Sequence, residues 1–326
     1  MLAVETYQLT KDYETKDTFL RAVNNLDLKI EESEIYSLLG PNGAGKTTTV
    51  RLLTGLIRPT LGGAHVLGLD INKDSQEIRG KVGLLTETPA IYERLTVRQN
   101  LEFIARLYSV PKEEIKFRIE EIIDLFEISE KIDLPAGSLS KGMKQKLAIA
   151  RSMLHDPPVI FLDEPTASLA PESAKIVRDQ ILKLAKIEKR TFFICTHNLF
   201  EAERLSTRIG IINHGSLIAQ GTPADLREIK KDEISTLFRF KRWNKEIKEY
   251  FESNKIKIIE LDKDRKAVSV IIPRIEDQTP SIIKELTQQN HSIIEVKHEY
   301  PTLERIYLEL VESESIPREN HEEEEQ

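Results

Sequence analysis

The chain has 326 residues, a length that suits about two domains. Apolar residues make up 40% and charged residues 31%, a globular, soluble mix, and the net charge of −7 argues against nucleic acid as a partner. No apolar run approaches the roughly 20 residues of a membrane span, and no basic segment followed by an apolar run marks a secretory signal.

Residues 1–35 read as strands joined by polar turns, with Leu26, Leu28 and Ile30 alternating against Asp27 and Lys29. Ile35 to Leu39 is a buried-type strand, and Thr47 to Leu56 reads as a helix closed by Gly55. Val82 to Leu85 is a short strand. Residues 96–128 hold two amphipathic helices broken near Val110-Pro111. Pro135 to Leu139 is a loop, and Ser140 is positioned to cap a helix that runs to Leu154. Val159 to Leu162 is an apolar strand ending in Asp163-Glu164. A helix over 171–188, a strand over 191–196, a short helix from Asn198 and a strand over 208–213 follow. Strands alternating with helices predict an α/β fold with a mainly parallel sheet covered on both faces. The helical block near 88–155 interrupts it as an inserted subdomain.

After about Lys230 the pattern changes to strand 234–241, helix 244–253, strands 256–261 and 266–272, helix 280–290 and strand 291–298. That β-α-β-β-α-β order predicts a small α+β ferredoxin-like C-terminal domain. A helix from Thr302 to Val311 follows, and the end of the chain, "HEEEEQ", reads as an acidic disordered tail. The expected division is 1–230, 231–312 and 313–326.

Two stretches carry chemistry. Gly40-Pro41-Asn42-Gly43-Ala44-Gly45-Lys46-Thr47, followed by Thr48, fits the phosphate-loop pattern GxxxxGK[ST] between a strand and a helix. Its glycines let backbone amides approach phosphate oxygens, Lys46 reaches the β- and γ-phosphates, and the Thr47 hydroxyl ligates Mg²⁺. GTPases, kinases and transport ATPases share such a loop. Downstream, Asp163 and Glu164 end a buried strand. Successive strand residues face opposite sides, so Asp163 is expected to hold Mg²⁺ while Glu164 aims at the attacking water. The single Cys195 forms no internal disulfide and reads as a packed core residue, which suits a reducing compartment. The seven histidines show no metal-ligand spacing with it, which argues against zinc.

With these motifs and two more, the chain resembles the nucleotide-binding subunit of an ATP-binding cassette (ABC) transporter over about residues 1–230. "SLSKGMKQKLAIAR" (Ser138 to Arg151) looks like the family signature, read here as Leu139-Ser140-Lys141-Gly142-Met143. "CTHNLFEAERL" (Cys195 to Leu205) looks like the switch segment, with His197 as its histidine. Tyr13 sits where the family places an aromatic that stacks on adenine, and no guanine-reading NKxD motif is present.

The resemblance implies a P-loop cassette with antiparallel β and helical subdomains that hydrolyses ATP with Mg²⁺. It also implies a sandwich of two cassettes in which Ser140, Lys141, Gly142 and Met143 act on the partner's ATP. The partners expected are a second cassette, identical or different, and a membrane-spanning permease that contacts roughly residues 88–130. The chain would then sit in the cytoplasm on the inner face of the membrane. The single cassette and the ending "YPTLERIYLELVE" (Tyr300 to Glu312) are similar to exporters of drugs, antibiotics or lipids. The alternative is a soluble ABC-type ATPase that remodels a macromolecular complex; such proteins usually carry two cassettes or a long coiled-coil insertion. Two positions depart from the family. Glu87 stands where glutamine is usual; its carboxylate would either ligate Mg²⁺ or repel the triphosphate and weaken binding. Ala170, in "SLAPES", stands where aspartate is usual, which puts symmetric cooperation of two identical cassettes in doubt.

Overall fold

The strands β1 (Leu2–Glu14), β2 (Phe19–Leu26) and β3 (Lys29–Glu31) open the chain. The expected alternation from Leu26 to Ile30 is split. Asp27 turns its carboxylate to the amide of Gln8 (2.7 Å), and the amide of Leu28 donates to Thr6 Oγ1 (2.7 Å), so both leave the strand ladder. Next come β4 (Ile35–Leu39) and α1 (Lys46–Leu53). The first helix stops three residues before Leu56, because Thr54 is its C-cap and Gly55 takes φ +65°, a left-handed turn that ends a helix. The computed structural model describes residues 1–14, 18–88, 90–167, 169–229, 234–299 and 302–313. Ser168 of "SLAPES", Tyr300, Pro301 and the acidic tail from 314 lie outside the described residues.

Three elements that the sequence pattern does not announce follow: β5 (Leu61–Val66), β6 (Leu69–Asp70) and α2 (Ser75–Lys81). β1 pairs antiparallel with β2, β3 and β5, making a five-stranded sheet whose main path runs β2-β1-β5-β6. Then β7 (Val82–Leu85) leads into α3 (Val97–Leu107), α4 (Lys112–Leu125) and α5 (Lys141–Met153). Thr96 and Gln99 cap α3 reciprocally at 3.1 and 2.9 Å, and the break before α4 falls at Val110-Pro111 as expected. Ser140 caps α5 by accepting the amide of Met143 (3.3 Å).

The elements that follow are β8 (Val159–Asp163), α6 (Pro171–Ile187), β9 (Thr191–Thr196), α7 (Leu199–Leu205), β10 (Arg208–Asn213), β11 (Ser216–Gly221) and, from the last residue of the first part onward, α8 (Pro223–Glu228). Six strands form one sheet in the order β11-β10-β4-β9-β8-β7. Five are parallel, and β11 runs antiparallel at one edge. Alternation sorts the side chains. Ile160, Leu162, Phe192 and Ile194 belong to a core cluster shared with α3, α4, α5 and α6. Val159, Phe161, Phe193 and Cys195 belong to another, shared with α1 and the antiparallel sheet. Burial on both faces explains why these strands are almost wholly apolar. Each buried Phe contributes about 1.5–3 kcal/mol of hydrophobic stabilisation.

The chain divides into two compact units, Met1–Pro223 and Ala224–Gln326. The second holds β12 (Ser235–Phe240), α9 (Lys245–Ser253), β13 (Ile258–Asp262), β14 (Ala267–Ile271), α10 (Ile275–Gln288), β15 (Ile293–Glu299) and α11 (Leu303–Ser313). Its sheet runs β13-β14-β12-β15 with every neighbour antiparallel, and the elements keep the β-α-β-β-α-β order. Phe238, Phe240, Val268 and Val270 form its core with Phe251 of α9 and Ile282 and Leu286 of α10. Helix α10 starts five residues before the expected residue 280. Pro280 lies inside it, where it removes one i→i−4 hydrogen bond and crowds the carbonyl of Glu276, yet the helix runs on to Gln288.

Candidate active site

Parallel strands bring their carboxyl ends to one edge of a sheet, where ligands of such folds bind. Here β4, β9 and β8 are neighbours in register: Leu39 lies beside Thr196, and Asp163 beside Cys195. Residues 40, 163–164 and 196–197 therefore emerge side by side. Positions more than a hundred residues apart in sequence meet because three apolar strands end together.

The phosphate loop leaves β4 at Gly40. A Cβ there would lie 2.3 Å from the carbonyl oxygen of Ile212, and one at Gly45 would lie 2.3 Å from the carbonyl oxygen of Ala22. Gly45 also has φ +104°, a conformation that glycine adopts without strain. Gly43, at φ +83°, is exposed with Asn42 at the loop's crest. Ala44 is buried and its amide donates to the carbonyl of Pro41 (3.2 Å). Lys46 is buried, and its ammonium donates to the carbonyls of Gly40 (2.8 Å) and Pro41 (3.0 Å). The cation is thus curled under the loop. Thr47 and Thr48 stand half-buried in the first turn of α1.

Asp163 is 2% exposed, and its Oδ2 accepts the Thr47 hydroxyl at 2.7 Å. Burial pushes its carboxyl above the ordinary value; the Thr47 hydrogen bond opposes this, the charges of Glu164 and Glu87 add to it, and Lys46 opposes it. Glu87 is exposed in the loop after β7. Glu164 has left the strand. Its amide still donates to the carbonyl of Cys195 on β9 (2.9 Å), but its φ of +52° departs from strand geometry, so this bend, and not strand alternation, separates its direction from that of Asp163. Its carboxylate accepts the His197 amide (3.0 Å), lies 2.7 Å from His197 Nδ1, and accepts Thr196 Oγ1 at 3.4 Å.

Cys195 is fully buried, its thiol 3.6 Å from the carbonyl of Lys46, and burial pushes it well above the ordinary thiol range. It packs the site from behind. Tyr13 pairs with Leu20 across the β1–β2 hairpin, is partly exposed, and has the Lys11 ammonium 5.2 Å from its ring centroid. That hairpin also supplies Ala22, the residue pressed against Gly45. Ser140, Lys141, Gly142 and Met143 stand apart from this cluster, at the start of α5. Lys141 is exposed, and Met143 packs on the core. Ala170 is the N-cap of α6 and gives it no side-chain cap.

Four residues missed in the sequence reading buttress the site. Gln145 Nε2 donates to the carbonyl of Pro165 at 3.1 Å, and the Thr166 hydroxyl donates to Glu201 Oε1. Arg178 Nη1 lies 3.5 Å from the same carboxylate oxygen, and Glu201 is 3% exposed. A buried glutamate is the one signal among these that a sequence pattern holds, since Glu201 falls on the apolar face of α7 with Ala202 and Leu205.

The donor set also fits a magnesium ion. Thr47 and Asp163 offer two hard oxygens in contact, and such ions are commonly held by one or two protein oxygens together with substrate phosphates and water. Among the described residues no group of three or more His, Cys, Asp or Glu is arranged to hold a metal by itself.

A phosphate loop at the centre of a mainly parallel sheet, with a buried Asp and a turned-out Glu at the end of β8, one strand removed, defines a P-loop nucleoside triphosphatase. Residues 23–167 match the profile of the ABC transporter family. The chain is 39% identical over 217 residues to the bacitracin transport ATP-binding protein BcrA of Bacillus licheniformis, covering 67% of this chain and 69% of that protein. It is 38% identical over 227 residues to the daunorubicin resistance ATP-binding protein DrrA2 of Streptomyces coeruleorubidus, covering 70% and 69%. It is also similar to a solved dimeric, post-hydrolysis structure of the ATP-binding cassette MJ0796 bound to ADP and Pi, with a TM-score of 0.63 at 26% identity over 67% of this chain and 98% of that one. This chain belongs to the ABC transporter family and is an ATP-hydrolysing cassette.

Proposed function

We propose that this ATPase powers a separate membrane permease that exports its cargo, and that it works closed against a second cassette. The observation that carries the enzymatic part is the meeting of Lys46, Thr47, Asp163, Glu164 and His197 at the ends of three adjacent strands. Export is favoured by the family likeness of the sequence from Tyr300 to Glu312 and by relatives named for bacitracin transport and daunorubicin resistance. Among the described residues no helix is long and apolar enough to cross a membrane. In this reading a separate permease supplies the passage, and the chain sits peripherally on the inner face of the membrane, touching the permease through roughly residues 88–130. Residues 231–312 form an accessory domain.

The backbone amides of Gly43 to Thr48 and the Lys46 ammonium hold the triphosphate, and Tyr13 stacks on the adenine. Thr47 and Asp163, with Glu87 beside them, would hold Mg²⁺, which when bound neutralises charge on the β- and γ-oxygens. Glu164 accepts a proton from the attacking water as the new P–O bond forms and the β–γ bridging P–O bond breaks. His197 Nδ1 is engaged by Glu164, so Nε2 is the nitrogen that meets the γ-phosphate. Ser140, Lys141, Gly142 and Met143 close over the other cassette's ATP, where the start of α5 favours negative charge.

The test is co-purification and turnover. The native chain should be captured with a multi-span membrane protein and should show higher ATP turnover in that complex than alone. Isolation only with soluble assemblies would overturn the transport reading while leaving the ATPase intact.

A further inference from the structure

The bend that carries Glu164 is strained and is held from outside. A non-glycine residue at φ +52° lies in a sparsely populated region and persists only where its surroundings fix it. The Glu164 amide donates to the carbonyl of Cys195 at 2.9 Å, and side chains hold the two residues that follow. Gln145, 9% exposed, donates from Nε2 to the carbonyl of Pro165, the residue after Glu164, at 3.1 Å. The Thr166 hydroxyl donates to buried Glu201, which Arg178 balances.

Gln145 belongs to α5 and lies five residues after Ser140, about 7.5 Å along the helix. The same helix meets the same loop a second time. A Cβ on Gly142 would sit 3.4 Å from Leu169 Cδ2, and the amide of Leu169 donates to the carbonyl of Thr166 at 3.0 Å. The start of α5 and the Glu164 bend are therefore joined at two points inside one chain, one of them a single buried hydrogen bond.

We infer that Gln145 is a positioning residue that transmits engagement at the start of α5 to Glu164. The inference rests on the proposed reading that the start of α5 faces the second cassette's ATP. In that arrangement one helix touches one nucleotide while the bend it braces serves the other. A shift of α5 by a fraction of an ångström on closure moves the Pro165 carbonyl and with it the direction of the Glu164 carboxylate. Each chain then cuts its own ATP only when its α5 has engaged its partner's.

The experiment uses the full chain with Mg-ATP. Gln145→Glu is nearly isosteric and Gln145→Met keeps the length; neither presents the amide donor. Both should lower kcat about tenfold, with the Kd for ATP within twofold of the parent and a melting temperature within a few degrees. Lys141→Glu, on the exposed first position of α5, should lower kcat in the parent, and at least fivefold less in the Gln145→Glu background. A merely structural Gln145 would leave the two effects multiplicative, and that result overturns the inference, as does parental kcat in both folded Gln145 variants. If Lys141→Glu leaves the parent's kcat unchanged, the reading of α5 as a nucleotide-facing element fails, and the inference falls with it.

Discussion

Of the three sheets among the described residues, the six-stranded and the four-stranded make a contrast, and only the first of these two gathers chemistry. In the six-stranded sheet, five parallel strands deliver their carboxyl ends to one edge, so Gly40, Asp163, Glu164 and His197 become neighbours. In the four-stranded sheet of the second unit every neighbour runs the opposite way. Its strand ends are dealt alternately to two edges, and its charged residues pair locally, as Arg239 does with Glu295 at 2.6 Å. Strand direction, more than composition, decides where loops can pool their side chains.

The contrast can be tested by substitutions on either sheet. The largest effect belongs to Glu164→Gln, which should lower turnover by about 10³-fold, within the usual range for a general base, while ATP still binds by calorimetry. Parental turnover would remove Glu164 as the base. Next comes the other sheet: Phe238→Ala empties a fully buried site that packs on Phe251 and should cost its unit about 3 kcal/mol in chemical denaturation. Below that transition ATP turnover should change less than twofold; a tenfold loss would break the contrast. Lys46→Ala should weaken ATP binding by about 100-fold, since it removes a charge-assisted donor from the phosphate loop, and nucleotide titration would show it.

The smallest effect concerns pH. His155 stacks on Tyr108 with centroids 3.8 Å apart, and its Nε2 lies 3.2 Å from the carbonyl of Val82. Burial lowers its pKa from 6.5 to about 4. The unfolded chain binds this proton more readily than the folded one, so the stabilisation is full above pH 6.5 and is lost as pH falls toward 4. The loss should be on the order of 2 kcal/mol, after discounting for partial exposure. His155→Phe keeps the stack and should flatten that part of the stability curve. An unchanged slope would place the titration elsewhere.

Much of this was legible because the signals are local. Continuous apolar runs announced β4, β8 and β9, and the glycine spacing announced the loop between β4 and α1. Ser140 was readable as a cap from its place before a helical pattern. The stretch from Leu61 to Lys81 was not, because "LGGAHV" has two glycines where a strand normally has side chains. They are there because Gly62 and Gly63 lie against Gln8 and Tyr7, which only the folded sheet brings near. The bend at Glu164 was equally hidden, since nothing in the residue type favours positive φ. Its props, Gln145 and Glu201, come from helices 19 and 37 residues away, a distance no local pattern spans.

The missing side chain at position 45 has a wider reach. Ala22's carbonyl oxygen occupies the space that any larger residue would need, so the nucleotide loop is seated on a strand laid down more than twenty residues earlier. That strand also carries Leu20, the residue facing Tyr13. One extra methyl group at 45 would push the hairpin outward and tilt Tyr13 with it. The two ends of the proposed nucleotide berth are thus pinned on the same peg, and loosening either would misalign both.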